Sequence, residues 1–497
     1  MAPLRSKLLA LLALPALLVL AERTMTELEH DVEDRLPVIQ RLGIEARVPT
    51  MLEAMRPLYA ALPKNENGEL GHGAVRYALY RLFRQMHAWL VNGLTPSGQP
   101  WSTSKSLSDA LDLKVPMRVA GLFKEHLDKS GFNLAETAFL AATLEELIFE
   151  EAIEKLNQSY DILGLGRENP LPWDSVKDVL EVYMMIYIFD SDKYDVHDPA
   201  VRLQIKDVYP NWPATQRFIR KQMREVTHKA DGLLEYVEAE HIVTQMAGRY
   251  GQWQDIECRE LKQTLLALES HCQGRVELGD FHGSALGDGK WQFEESGDYL
   301  RQLGSLDETV KEKPSVIVPN YIDSPSNYIS TSETYAVVCF DECLPLLSSL
   351  EKAIGGPAAS PKSIASHVKV LTTPSQREPR ELPLYLLRHL DGIAKVHRGQ
   401  VPLHGRLFAQ FMHHAFPREC QYPAKSGTTK PMFPTESEAE TGISSIATEF
   451  EMAASEAAMN EAHKAVPLLH KLHETCLPWT WDEELLAPIL TGSDLEL

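Results

Sequence analysis

The chain has 497 residues and a formal net charge of −21, with 49 Lys and Arg against 70 Asp and Glu. That balance excludes a protein built to neutralise a nucleic-acid backbone, which needs clustered basic residues. With 44% apolar and 24% charged residues it is not a disordered chain, and its length implies two or three domains or one large helical body with appendages.

Arg5 and Lys7 precede an apolar run over residues 8–20, and Val19, Leu20 and Ala21 supply the cleavage positions. This is the layout of a secretory signal peptide over residues 1–21. The run is shorter than the ~20 residues a membrane span needs. Left uncleaved it would be a signal anchor, and an anchor beyond Leu497 is the other route to a membrane. The expected location is the secretory pathway: extracellular, cell-surface or an organelle lumen. One glycosylation sequon, Asn157-Gln158-Ser159, fits that route. Six cysteines in a translocated chain can pair. Cys258 and Cys272 are close in sequence, and Cys343 and Cys420 lie in similar acidic settings, FDEC and PREC, so these are the expected pairs. Cys339 and Cys476 remain, and a Cys339–Cys343 bond would be strained within one helical turn.

From residue 22 to 272 the pattern is that of a helical domain. Over residues 71–93, Val75, Leu79, Leu82, Phe83, Met86 and Leu90 recur at helical spacing, Arg76, Arg81 and Arg84 lie off the stripe, and Gly93 is a natural stop. His87 and Trp89 read as packing at the helix end. Asn133 and Glu136 form a capping-box pair. The carboxylates Glu136, Glu145, Glu146, Glu150, Glu151 and Glu154 read as a solvated face. Trp173, Asp174 and Ser175 open a further helix whose residues 182–189 are apolar all round and therefore buried. The acidic loop at 190–199 fails the EF-hand pattern, with Asp195 at the turn-glycine position and Val201 at the terminal Glu position. Pro213 begins a helical stretch to Gly248, broken at Asp231-Gly232. It carries two Glu-x-x-His pairs, Glu225 with His228 and Glu238 with His241, the spacing used in di-metal helix bundles. The same spacing at Glu27–His30 and Glu69–His72 dilutes the signal.

Residues 273–330 are rich in Gly, Asp, Ser and Pro and read as a loop-rich linker or small subdomain, with a short helix near 291–303 and a strand at 316–319. Gly283 to Trp291 misses the phosphate-loop pattern in its glycine spacing and in its missing Ser or Thr. Residues 331–423 read as a C-terminal helical domain. Residues 335–340 are ambiguous between strand and helix, Asp341 caps a helix that Gly355 ends, and a second helix spans 384–395. Then comes a stretch over 389–423 holding five of the eighteen histidines, His389, His397, His404, His413 and His414. On a helix beginning near Pro402, His404 and His414 flank the apolar face of Leu407, Phe408 and Phe411, while His413 points away. His404 and His414 are too far apart along a helix to ligate one ion alone, so a metal site needs His397, Glu419, or Glu238 and His241 of the first domain as well. Residues 424–497 read as a flexible connection and a last helix over 448–466.

Several stretches together, VRYALYRLF at 75–83, RYGQWQDIECRELK at 249–262, KWQFEESGDYLRQLGSLDE at 290–308, PNYIDSPSNY at 319–328 and VPLHGRLFAQFMHHAFPRECQYP at 401–423, resemble a family of secreted or membrane-anchored proteins from dinoflagellate-like algae and related protists. The resemblance covers most of the chain beyond Glu22. It implies the secretory route and, because that family has no assigned activity, lends no catalytic residues. Its members often end in a membrane anchor.

The sequence holds no Gly-x-Ser-x-Gly, His-Glu-x-x-His, Cys-x-x-Cys or dinucleotide glycine fingerprint. The expected fold is mainly α: a multi-helix, bundle-like body with a loop-rich middle and few or no strands. The expected role is that of a secreted or lumenal, disulfide-containing protein that binds a protein or small molecule or serves as structure. The alternative is a metal-dependent or redox enzyme holding a transition metal at a His/Glu site around 397–420.

Overall fold

Helices make up 61% of the computed structural model, with sixteen α-helices among the described residues, which places the protein in the mainly α class. The structure describes residues 38–95, 131–189, 194–227, 232–269, 273–285, 292–311, 313–330, 334–379, 381–465 and 477–487. The signal segment, Cys272, Cys476 and His228 lie outside them.

The N-terminal body is built from α1 (Val38–Ala61), α2 (His72–His87), α3 (Leu134–Leu163), α4 (Trp173–Ile188), α5 (Pro199–Val208), α6 (Trp212–Thr227) and α7 (Tyr236–Ala267). Asn133 caps α3 as its sequence requires: its side chain accepts the Glu136 N–H, and the Glu136 carboxylate accepts the Asn133 N–H. α3 packs against α1, α4 and α7 around one apolar core that runs from Ile44 to Tyr250. α7 passes so close to the end of α2 that a Cβ on Gly251 would come within 2.2 Å of the His87 carbonyl oxygen.

α2 ends at His87, six residues before Gly93. Ala88 takes a left-handed conformation, and Trp89–Val91 becomes strand β1 instead of helix. The reason lies far along the chain. β1 pairs antiparallel with β8 (Tyr335–Val337), Trp89 opposite Val337, and β8 pairs in turn with β7 (Ile329–Ser330). Tyr335 and Val337 thereby join the N-terminal core, so tertiary pairing overrides the local helical pattern.

The middle region is no bare linker. β4 (Arg275–Glu277), β6 (Ser315–Ile317) and β5 (Leu306–Asp307) form a small antiparallel sheet, joined by α8 (Leu278–Ala285), α9 (Gly297–Leu303) and α10 (Val318–Ile322). They share their own core, with Phe281, Phe293, Val316 and Tyr321 packed on Leu261 and Leu265 of α7. The C-terminal body comprises α11 (Cys343–Ile354), α12 (Pro361–Val370), α13 (Leu384–Val396) and α14 (Arg406–Ala415), around Leu350, Leu390, Leu407 and Phe411. Two-residue strands β9 (Ala358–Ala359) and β10 (Val401–Pro402) brace it, as β2 (Leu171–Pro172) and β3 (Leu233–Leu234) brace the first body. α15 (Pro434–Thr441) and α16 (Glu449–Ala465) follow, α16 against α8, and residues 477–487 cross back over α14.

Candidate functional site

The three bodies meet on α2. Its apolar stripe faces the N-terminal core, as its periodicity predicts, but the arginines off that stripe are not solvated. Arg76, Arg81 and Arg84 are all buried. Arg81 donates to both carboxylate oxygens of Glu351 on α11, at 3.0 and 3.1 Å, and to Ser348 Oγ at 3.0 Å. Arg84 donates to Asp323 Oδ1 at 2.7 Å and to the Cys339 carbonyl at 3.1 Å. Buried guanidinium groups require such partners, because an unpaired charge in the interior is strongly destabilising.

Two disulfides fix the segment opposite. Cys339 is bonded to Cys258 on α7, and Cys343 to Cys420 after α14. The Cys343–Cys420 pair is the expected one. Cys258 departs from expectation: proximity in sequence favours Cys272, but folding brings Cys339 beside Cys258, with Cα atoms 5.8 Å apart. Between the two bonded cysteines stands Asp341.

Asp323 and Asp341 share the Arg84 charge, and their surroundings differ. Asp323 is saturated, accepting from Arg84, from the Tyr328 hydroxyl at 3.0 Å and from Gln421. Asp341 accepts one hydrogen bond, from the Cys343 N–H at 2.8 Å; it is not the cap expected of it, because Glu342 takes the N-cap position of α11. Asp341 lies deep in the protein, yet part of its surface reaches solvent, as do parts of Tyr77, Tyr80 and Tyr328 around it. The combination describes a recess at the junction of the bodies. Burial, reinforced by the neighbouring Asp323 charge, pushes the Asp341 carboxyl up to about 6. Tyr80 and Tyr328 are pushed up by burial and stay protonated.

His404 borders the same recess. Its Nε2–H donates to Glu351 at 2.8 Å, its ring meets Tyr77 edge-on at 5.7 Å, and its Nδ1 is buried with no hydrogen-bond partner. Burial lowers its basicity, so the ring is neutral. The other histidines of the 389–423 stretch go elsewhere. His397 pairs with Glu483 at 2.8 Å. His413, expected to point away from the core, is fully buried: its Nδ1–H donates to the Cys420 carbonyl at 2.7 Å and its Nε2 accepts from Arg275 at 3.0 Å. The middle body, through Arg275, and residues 477–487 cover the side of α14 that would otherwise be wet. Arg275 is held at 2.7 Å by Asp307, closing a dry network. His414 donates to the Pro478 carbonyl at 3.1 Å.

The residues considered for a metal site are thus dispersed. Glu419 accepts from Ser375, Glu238 closes the capping box of α7, and His241 is exposed on that helix. His404 and His414 face different neighbours. Among the described residues no group of three or more His, Cys, Asp or Glu side chains is arranged to hold a metal ion. His87 does pack a helix end, stacked on Trp89 at 4.1 Å. Its partner Glu145 at 2.6 Å is buried, not part of a solvated face, and also binds Arg47. Asn157 of the sequon lies within α3, its side chain accepting from Tyr236 at 2.7 Å, and Ser159 is buried. Sequence reasoning missed Arg84, Asp323 and Asp341; the one available signal was three arginines on a helix otherwise patterned for burial.

No family model matches the chain, and no curated protein or solved structure matches it. Among the described residues no helix is long and apolar enough to cross a membrane.

Proposed function

We propose that this is a binding protein of the secretory pathway or cell exterior, tied by disulfides, whose ligand site is the recess between α2 and the Cys339–Cys343 segment. The resemblance to secreted and anchored algal proteins and the signal-like N-terminus support the location. The two disulfides are compatible with an oxidising compartment.

The observation that carries the reading is Asp341: a deep, solvent-reachable carboxylate with a single hydrogen bond and no cation of its own. With Arg84 serving two carboxylates, the node is one positive charge short. Arg81 is matched by Glu351, and the Lys64 ammonium is held on the carbonyls of Tyr59, Ala60 and Leu62. A small organic cation would supply the missing charge beside Asp341; the neighbouring phenols already carry guanidinium groups, Arg81 5.5 Å from the Tyr77 ring and Arg84 5.7 Å from the Tyr80 ring. The test is thermal shift and calorimetric titration with choline, putrescine and glycine betaine. An ammonium probe is expected to stabilise the wild type at pH 7.5 and to bind Asp341→Asn at least about tenfold more weakly, ~1.4 kcal/mol. No response from any probe, or an equal response from Asp341→Asn, would contradict the reading.

A further inference from the structure

α16 is anchored along one side. Met452, Ser455 and Met459, at i, i+3 and i+7, face α8. Met452 is buried, Ser455 Oγ bonds His282 at 2.9 Å, and a Cβ on Gly279 of α8 would come within 2.8 Å of Met459. The start of the helix is fixed as well. The Glu451 carboxylate accepts the Thr448 N–H at 2.7 Å, and the Thr448 hydroxyl accepts the Glu451 N–H at 3.2 Å. Ala447 and Met452, both buried, are the apolar pair that staples such a capping box. The Ala447 N–H donates to the Glu294 carbonyl at 2.7 Å, and Ile446 bridges Glu295.

The opposite side is apolar where a solvated helix carries polar groups. Phe450, Ala454 and Ala457 follow at i, i+4 and i+7, with Ala453 and Ala458 beside them. All five are exposed, Phe450 to 82%. Ile443 and Ile446 lead into this strip, 49% and 54% exposed. The cap and the α8 contact use none of these side chains, and none belongs to an apolar core of the described residues. Alanines admit a second helix at the close end of the usual interaxial range, about 8 Å, and Phe450 gives the seam a large side chain at one end.

Charge selects the occupant. Between Lys430 and Lys464 the chain carries seven glutamates and no Lys or Arg. Lys430 is paired with Glu440, and α8 adds Asp280 and no Lys or Arg. Glu449, Glu451 and Glu461 border the strip. A second copy of this chain would bring the same glutamates against them. Helices that lie on membranes carry Lys and Arg on the polar face, the reverse of α16. A helix with an apolar stripe flanked by Lys and Arg meets both the strip and its border.

We infer that the outer face of α16, with Ile443 and Ile446 at its start, docks a basic amphipathic helix of a partner protein. The strip shares no residue with the recess, so either reading can fail alone.

The test is fluorescence anisotropy of a labelled Leu/Lys model peptide, helical with one apolar face, titrated with the intact protein. The peptide is expected to bind, and to weaken about tenfold as salt rises from roughly 50 to 300 mM. A scrambled peptide of the same composition and an oligolysine should each bind at least about tenfold more weakly, ~1.4 kcal/mol. Phe450→Ser and Ala457→Gln, both at exposed positions, should each weaken the helical peptide about tenfold or more, while Leu384→Ser, at a residue 70% exposed on α13, should leave it unchanged. Circular dichroism checks that the variants fold. The proposal is overturned if the helical peptide does not bind, if the scrambled peptide or oligolysine binds as well as it does, or if Phe450→Ser or Ala457→Gln binds like the wild type. It is also overturned if the wild type sediments as a dimer that Phe450→Ser dissociates, or floats with phosphatidylcholine vesicles when Phe450→Ser does not.

Discussion

Two buried polar nodes in this protein use the same chemistry and reach opposite ends. In one, Arg275 sits between Asp307 at 2.7 Å and His413 at 3.0 Å, and the His413 Nδ1–H donates to the Cys420 carbonyl. One cation meets one carboxylate and a neutral imidazole, in a node closed to water. In the other, Arg84 pairs with Asp323 at 2.7 Å, while Asp341 feels the Arg84 charge without a contact and is only partly covered. The first node ties the middle body to the C-terminal body. The second lies at the same kind of seam but is left one positive charge short. A balanced, closed network is structure. An unbalanced one that water can reach is where a ligand has something to contribute.

The comparison is broken most severely at the closed node. Arg275→Met would leave Asp307 buried without its cation, and the expected loss is about 3–5 kcal/mol. Chemical denaturation measures it; a loss below about 1 kcal/mol would mean that the node is wetter than it looks. Acid comes next. His413 and His414 are neutral in the folded protein, with folded pKa values below the ordinary 6.5, that of His414 at about 4. The unfolded chain takes up protons first as pH falls, so their stabilising contribution is complete above pH 6.5 and declines below it, for His414 down to about 4. For His414 alone the loss approaches about 3 kcal/mol. Melting temperatures across that range should fall steadily, and His414→Gln should flatten the slope. The smallest effect serves as a control far from both nodes: Asn133→Ala removes the α3 cap and should cost about 1 kcal/mol at every pH.

The helices that depend on local pattern were legible in the sequence. Asn133 and Glu136 cap α3 and Gly355 ends α11 in a left-handed conformation; of the strand expected over 316–319, Val316 and Ile317 are strand, while Val318 and Pro319 open α10. The nodes were not. Arg81 and Arg84 reach partners 270 and 239 residues away, and nothing in the α2 sequence says which carboxylates will arrive. His413 reads as outward because periodicity assigns one face of a helix to the core, and α14 is covered on more than one. Cys258 reads toward Cys272 because sequence distance is all a sequence offers, whereas a disulfide needs only spatial approach. The histidines of the 389–423 stretch do not converge: His404 meets Glu351, His397 meets Glu483, His413 joins the Arg275 node, and His389 and His414 pack on Trp479.

The central claim is that Asp341 is held in the folded protein without full compensation. Its folded pKa of about 6 exceeds the ordinary 3.8, so its contribution is favourable below that ordinary value and is lost as pH rises through 6. The most direct test is the difference in unfolding free energy between Asp341→Asn and the wild type, without ligand, at pH 7.5 and pH 4. The account predicts a variant more stable by about 1–3 kcal/mol at pH 7.5, with the gain largely gone at pH 4. A variant less stable than the wild type at pH 7.5 would show that Asp341 is already fully partnered, and the recess would then be structure, like the Arg275 node.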